Sequence, residues 1–442
     1  MAKNNKLDAL QIFNAAVASV MPINLLQQHL HIDKNNLRIG TRVIELHTIN
    51  KLLVIAVGKA AAAMAVQAEQ LLTEAITAGI CVTKYQHSLP LKKLKLLEAG
   101  HPIPDEKSIQ AGAKILLLLK NLTEKDVVLV LLSGGASALI EDLPEGFVLK
   151  NVQQAVDSLM RCGASIHEIN TVRKHLSKLK GGGLARAAFP AQVHTLVLSD
   201  VVGDNLDVIA SGPTVPDTSS FADAIAVLDK YKLWESIPVN IQQHLHKGLK
   251  NEIDETPKVN DTIFEKCFTT IIGSNKIALL AAAREAKSLG YHTNIFKNNA
   301  DDNTEQLART MVKQLADYSG VLPACFLAGG ETTLEVTGSG MGGRNQHFVL
   351  CALDEMLNLY QAYKNNLTVL SAGTDGTDGP TDATGAIADL KSYNAIPDIK
   401  PTLNKALTEF DSYNFFEKNY GLIKTGATQT NVMDIMMVII SG

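Results

Sequence analysis

Six of the fifteen residues from Gly329 to Gly343 are glycine (Gly329, Gly330, Gly338, Gly340, Gly342 and Gly343), and Arg344 follows at once. Glycine at that density weakens both helix and strand, so some other need must call for it. Close approach of backbone N–H groups to an oxyanion is the expected reason. Arg344 adds a fixed charge whose planar donor fork suits phosphate or carboxylate.

Other stretches offer related chemistry. LLSGGASALI (131–140) sets Ser133, Gly134, Gly135 and Ser137 at the end of an apolar run. Amides and hydroxyls there suit a phosphate, although a tight turn with a serine cap needs the same residues. VIAVGKAAAAMA (54–65) places Lys59 just after a strand-like run. It lacks the leading glycine and the Ser/Thr of a Walker A loop. A lysine opening a helix sits at the unfavourable end of the macrodipole, so it calls for an anionic partner or solvent. LVLSDVVGDNLDVIASGPTVPD (196–217) brings Asp200, Asp204 and Asp207 close together, as magnesium ligands or as Asx turns. SAGTDGTDGPTDATGAIAD (371–389) holds Asp375, Asp378, Asp382 and Asp389 but lacks the EF-hand frame. Magnesium or a substrate hydroxyl is the better expectation there.

Two patterns are set aside. Gly338-x-Gly340-x-x-Gly343 satisfies the dinucleotide fingerprint, but no acidic residue stands about twenty positions on. The twelve histidines contain no HExxH, and His29, His31, His244 and His246 read as helix-surface residues.

The elements that must position these residues are legible from periodicity. Apolar runs of strand length at Leu52–Val57, Val127–Leu132, Val193–Leu198, Phe268–Ile272, Ala324–Ala328, Leu367–Leu370 and Met436–Ile440 alternate with helical segments. Strands apolar on both faces imply sheets covered by helices on both sides. The fold class is therefore α/β, with two domains of largely parallel or mixed sheets flanked by helices. A helix is expected across Ile166–Leu184, from the spacing of Ile166, Ile169, Val172, Leu176 and Leu179. The strand-poor stretch 233–261, with Pro238 and Pro257, marks the boundary. It divides a Rossmann-like domain over 1–250 from an α/β domain over 260–442, leaving the last strand room to return toward the first.

A net charge of −4, from 41 basic and 45 acidic side chains, gives no electrostatic reason to expect nucleic acid or an anionic membrane as partner. Five widely spaced cysteines without CxxC read as buried, reduced thiols of a cytoplasmic protein. Asp8, Gln11 and Asn14 interrupt the N-terminal apolar stretch at helical spacing, which predicts an amphipathic helix rather than a signal peptide.

Taken in order, VGKA, GHPIPDEKS (100–108), LLSGGASAL, INTVRKHLSKLKGG (169–182), LSDVVGD with ASGPTVPD, AGGETT, GGRNQ, GTDGTDGPTDATG and TGATQTNVMD (425–434) resemble the class II glycerate kinases. These carry a MOFRL C-terminal domain, and the likeness runs from about Leu7 to Ile440. The resemblance implies two α/β domains with a cleft between them and ATP-dependent phosphorylation of D-glycerate at the 2-hydroxyl, with Lys59 and Arg344 catalytically important. With that activity, the polar strand ends are expected to give the nucleotide contacts: Ser133, Gly134, Gly135, Ser137, Ser199, Asp200, Gly330, Glu331, Gly342 and Gly343. Mg²⁺ would be positioned by Asp200, Asp204, Asp375 or Asp378. Arg173 and Lys174 could hold the glycerate carboxylate, or be a helix-face charge pair. Met341, Thr377, Ala427 and Gln429 depart from the family pattern: a basic residue, an aliphatic residue, proline and glycine are usual there. An NAD(P)H-dependent hydroxypyruvate reductase is the competing reading, a non-catalytic sensor the third. The hydroxyl phosphorylated follows from the resemblance alone, and the sequence leaves open a homodimer and the donor's base.

Overall fold

The computed structural model describes residues 4–359 and 367–441. The chain divides into two compact units, Leu25–Ile272 and Gly273–Gly442, and the latter also takes in Met1–Asn24.

The unit Leu25–Ile272 begins with a small antiparallel sheet of β1 (Leu30–Asp33), β2 (Asn36–Ile39) and β3 (Arg42–Glu45). Its main sheet contains β4 (Leu52–Val57), β5 (Ala78–Lys84), β6 (Lys95–Ala99), β7 (Val127–Ser133), β8 (Gln192–Leu198) and β9 (Cys267–Gly273). The spatial order is β6-β5-β4-β7-β8-β9. Pairing from β6 through β8 is parallel. This is the strand order of the doubly wound nucleotide-binding sheet, and the chain reverses direction across the sheet between β4 and β7. Every residue of β4 and β7 is buried, as apolar runs on both faces require. Each such Val, Leu or Ile contributes roughly 1.5–3 kcal/mol by leaving water. The helix Ala61–Leu72 presents Ala61, Ala62, Ala65 and Ala68 inward, small enough for close approach to the sheet.

Gly273–Gly442 holds a mixed sheet of β10 (His292–Ala300), β11 (Ala324–Gly330), β12 (Leu367–Gly373), β13 (Gly385–Asp389), β14 (Leu422–Ile423) and β15 (Asp434–Ile440). Its order is β10-β11-β15-β12-β13-β14, and only β10 and β11 run parallel. The last strand does not return to the first domain: fully apolar after Asp434, it fills the middle of this sheet, where both edges are paired. The helix Asn5–Ser19 buries Ala9, Ile12, Phe13, Ala16 and Val17 and packs on the helix Asn275–Ser288 of the same unit. No single helix is long and apolar enough to cross a membrane among the described residues.

Two further expectations change. The division falls after Ile272, not near residue 250, because side chains tie the 250–258 stretch to its own unit. Glu255 pairs with His175 at 2.9 Å, and Thr256 donates to Asp217 at 2.9 Å. The helix expected to reach Leu184 ends at Lys174, and a second short helix, Gly183–Ala188, follows. The paired glycines Gly181 and Gly182 take left-handed φ values of 53° and 82°, which turn the chain between them. Of the five thiols, Cys81, Cys325 and Cys351 are buried, whereas Cys162 is exposed.

Candidate active site

In the unit Leu25–Ile272 the turns after β4 and β7 lock together where the sheet changes direction. Lys59 N–H donates to Gly134 O at 2.9 Å, and Ala60 N–H donates to Ser133 Oγ at 3.0 Å. Ser133 is thereby buried and spoken for by the neighbouring turn. Lys59 Nζ reaches Asp200 Oδ2, at the end of β8, at 3.2 Å. Both groups keep partial access to solvent, with side-chain exposures of 24% and 17%. A Cβ at Gly134 would overlap the Asp200 carboxylate. At Gly135, with φ 84°, a Cβ would stand 2.7 Å from the His101 ring and 3.2 Å from Lys59 Cγ. Lys59, Gly134, Gly135 and Asp200 are thus brought together as expected.

His101 was not singled out by residue type, although it lies inside the GHPIPDEKS motif. Burial pushes its imidazole down to about 4, with Lys59, Lys84 and His87 adding to the effect, so the ring is neutral near pH 7. The signal that could have found it is its position at a strand end, just after β6.

Behind the turn lies a buried polar chain. Ser137 Oγ and Ser211 Oγ are 2.7 Å apart, and Ser211 Oγ donates to Asn170 Oδ1 at 2.9 Å. Ala210 and Ser211 hold left-handed φ values of 55° and 59°, costly for residues with a Cβ. Arg173 Nη2 donates to Ser137 O at 2.9 Å and approaches Glu141 at 3.4 Å. Glu141 also pairs with buried Lys180 at 2.6 Å. Burial lowers Lys180 to about 8, against the pull of Glu141.

Lys174 does not stand beside Arg173 as a ligand cation. It is buried against Asp217 at 3.1 Å, with Asp207 at 3.6 Å, so its charge is consumed within the fold. Burial pulls the Asp217 carboxyl upward, but Lys174 outweighs this and holds it below its ordinary range. Ser199 is also fully buried. Asp204 occupies a turn with φ 56°.

In the unit Gly273–Gly442, Arg344 begins the helix Arg344–Asn358. Its guanidinium grips Asp434 with two donors, Nε to Oδ2 at 2.5 Å and Nη2 to Oδ1 at 3.2 Å, and reaches Glu331 through Nη1 at 2.8 Å. Burial opposes the charge of Arg344, but Asp434 more than offsets it and raises the guanidinium further. Asp434 opens β15 and is nearly inaccessible. Its burial pushes the carboxyl up while Arg344 pulls it down, and the two-donor geometry favours the ionised pair. Asp434 is a second residue missed by type; its signal was a carboxylate immediately before a wholly apolar run.

The glycine-rich loop has a different basis from the one expected. A Cβ at Gly340 would stand 2.6 Å from Glu409 O, and Gly340 N–H donates to that oxygen at 2.8 Å. A Cβ at Gly338 would also strike Glu409, and one at Gly342 would strike Ser412. Met341 N–H meets Asp411 Oδ1 at 3.0 Å. The loop therefore needs glycine to lie against the 409–412 turn. Gly330, at the end of β11, leaves room for Ala300 of β10.

Asp378 is likewise reassigned from metal ligand to helix cap. Its Oδ1 accepts from Asn345 N–H at 3.0 Å and its Oδ2 from Gln346 N–H at 2.8 Å. It supplies the cap that Gly343 cannot, and a Cβ at Gly343 would overlap it. Burial raises its carboxyl to about 6, against those amide bonds. Asp375 Oδ1 accepts from Thr377 N–H at 3.0 Å in an Asx turn. Gln429, where the family pattern has glycine, keeps the left-handed conformation with φ 64°.

The comparisons with known proteins agree with the motifs. Residues 8–246 match a domain of unknown function (DUF4147), and residues 324–434 match the MOFRL family. The chain is 37% identical over 438 residues to the glycerate 2-kinase of Pyrococcus horikoshii, covering 98% of this chain and 96% of that one. It is 40% identical over 401 residues to the D-glycerate 2-kinase of Thermotoga maritima, covering 89% and 91%. The crystal structure of glycerate kinase from Thermotoga maritima superposes with a TM-score of 0.86 at 36% identity, covering 99% of this chain and 100% of that one. A protein named putative hydroxypyruvate reductase, from Agrobacterium vitis, is 36% identical over 440 residues, covering 97% and 93%. By its two matched domains and its full-length similarity to named kinases, the chain belongs to the class II glycerate kinase family.

Proposed function

We propose that this chain transfers the terminal phosphoryl group of ATP to the 2-hydroxyl of D-glycerate, giving 2-phosphoglycerate and ADP. One observation carries the reading at the level of chemistry: Lys59, held by Asp200, lies against the Gly134–Gly135 turn at the switch point of a doubly wound sheet. Phosphoryl transfer needs charge neutralisation and alignment more than covalent chemistry. Lys59 is the cation proposed to neutralise the transferring group, and Arg344 is proposed to be needed for turnover. Gly134, Gly135 and Ser137 are proposed to hold the polyphosphate, and Arg173 the glycerate carboxylate.

Mg²⁺ suits one or two carboxylates together with substrate phosphates. Asp200 fits that description, since it is oxygen-donating, partly accessible and next to Lys59. It would hold the ion, which would supply further neutralisation of phosphate charge, with Asp204 of the same unit as the other carboxylate. The test is incubation with D-glycerate, ATP and Mg²⁺, followed by separation of 2- from 3-phosphoglycerate. Absence of ADP with folded protein would refute the kinase reading, and a 3-phospho product would refute the regiochemistry.

The strand order of the main sheet, shared with dinucleotide-binding enzymes, favours hydroxypyruvate reduction as a second reading. Its first strand-to-helix turn, however, reads Gly58-Lys59-Ala60-Ala61, without the glycine fingerprint, and β5 ends in Lys84 where a ribose-binding carboxylate is expected. The Gly338–Gly343 fingerprint lies in the other unit and packs on the 409–412 turn. Unchanged nicotinamide absorbance on adding hydroxypyruvate would remove this reading.

A further inference from the structure

A groove of about 550 Å³ runs between Pro102–Pro104, the helix Leu149–Arg161 and the helix Ile166–Lys174. That size falls within the range of small-molecule sites. Its walls include Ile103, Val152, Met160 and Ile166. Ile103, Met160 and Ile166 are 65%, 53% and 52% exposed, so three large apolar side chains meet solvent in one concavity. Arg173 also lines it.

Two contacts join the groove to the glycine turn. Arg173 donates to Ser137 O at 2.9 Å. Pro102 follows His101, whose ring stands 2.7 Å from the place a Gly135 Cβ would occupy. A molecule whose anionic end sat at Lys59 and Gly135 could extend along either contact into the groove.

We propose that this groove binds the base and ribose of the phosphoryl donor, an inference that rests on the kinase reading. Glycerate carries an oxygen on each of its three carbons and has no apolar face to bury. A nucleobase has two, and the exposed apolar walls Ile103, Met160 and Ile166 suit such a face. Gln153 donates to Pro104 O at 2.7 Å and ties the two walls, so the groove is held open.

The test uses mant-ATP binding by fluorescence, with full-length wild type and the variants Met160→Glu and Ile166→Glu. Both side chains are more than half exposed, so the variants keep the core, and melting temperatures check this. A charge placed in the groove should weaken mant-ATP at least roughly tenfold, with KM for D-glycerate unchanged. Photolabelling by 8-azido-ATP should mark peptides within 102–104 or 149–173. Unchanged affinity in both variants, no binding by wild type, or labelling confined elsewhere would overturn the proposal. So would a change in sedimentation of Met160→Glu without a change in affinity, since the groove would then be a contact between copies. Wild-type turnover with unaffected variants sinks the groove and spares the kinase reading. Weakened binding in the variants without ADP formation by wild type does the reverse.

Discussion

Gly134 and Asp200 occupy one space: the carboxylate of Asp200 stands where a side chain at Gly134 would have to go, and that carboxylate holds Lys59 Nζ at 3.2 Å. Gly134→Ala must displace the carboxylate and with it the lysine. A shift of about an ångström at a reacting group costs roughly a hundredfold in rate. The expected outcome is a fall in kcat of that order with a small change in melting temperature; wild-type kcat would show that the Lys59–Asp200 pair plays no part in turnover.

Lys59→Ala should lower kcat by roughly a hundredfold or more, the cost of losing one preorganised donor to a developing charge. Lys59→Arg keeps the charge but moves it, and should recover only part of the rate. Steady-state kinetics with D-glycerate and ATP decide it, and a Lys59→Ala enzyme with normal kcat would exclude the lysine from the chemistry.

Arg344→Lys retains a cation but cannot make the two-donor grip on Asp434. Turnover should drop roughly a hundredfold. Arg344→Ala should in addition destabilise the protein by about 3–5 kcal/mol, because Asp434 stays buried without its partner. Urea titration measures that cost, and its absence together with normal kinetics would reduce the pair to a surface contact.

Asp378→Ala removes a helix cap that no local residue can replace. The amides of Asn345 and Gln346 would lose their acceptors, at a cost of about 1–2 kcal/mol. Denaturation midpoints check this, and Asp378→Asn should recover part of the loss through its amide oxygen. Stability equal to wild type in Asp378→Ala would return Asp378 to the candidates for metal binding.

His194 gives a pH prediction. Burial, with Arg42 adding, lowers its imidazole from 6.5 to about 4. Between those values the unfolded chain binds the proton and the folded one does not, so stability rises with pH across the window. The contribution of His194 is fully present above 6.5 and disappears as pH falls from 6.5 to about 4. Melting curves at pH 7.5, 6 and 5 should show a smaller acid loss in His194→Gln than in wild type. Identical pH slopes would mean the ring is not held neutral.

Periodicity and residue type determined much of this protein. Unbroken apolar runs such as Leu52–Val57 and Val127–Ser133 can only be strands buried on both faces, so the α/β class and most strand positions were legible. The cluster at Lys59, Gly134, Gly135 and Asp200 was legible too, because parallel sheets present their functional residues at the carboxyl ends of the strands. Tertiary contacts decided the rest. Sequence spacing does not reveal which carboxylate a lysine will meet, so it left Lys174 open as ligand or helix-face charge, and burial beside Asp217 decides against the ligand. Nor does a glycine run name its neighbour: the Gly338–Gly343 stretch lies against Glu409 and Ser412, residues some seventy positions on. The boundary moved for the same reason, since Glu255 and Thr256 bind to partners that only folding brings near. Local pattern sets which element forms, through short-range sterics and burial, whereas charge pairing and steric exclusion act through space and depend on where the fold brings distant residues together.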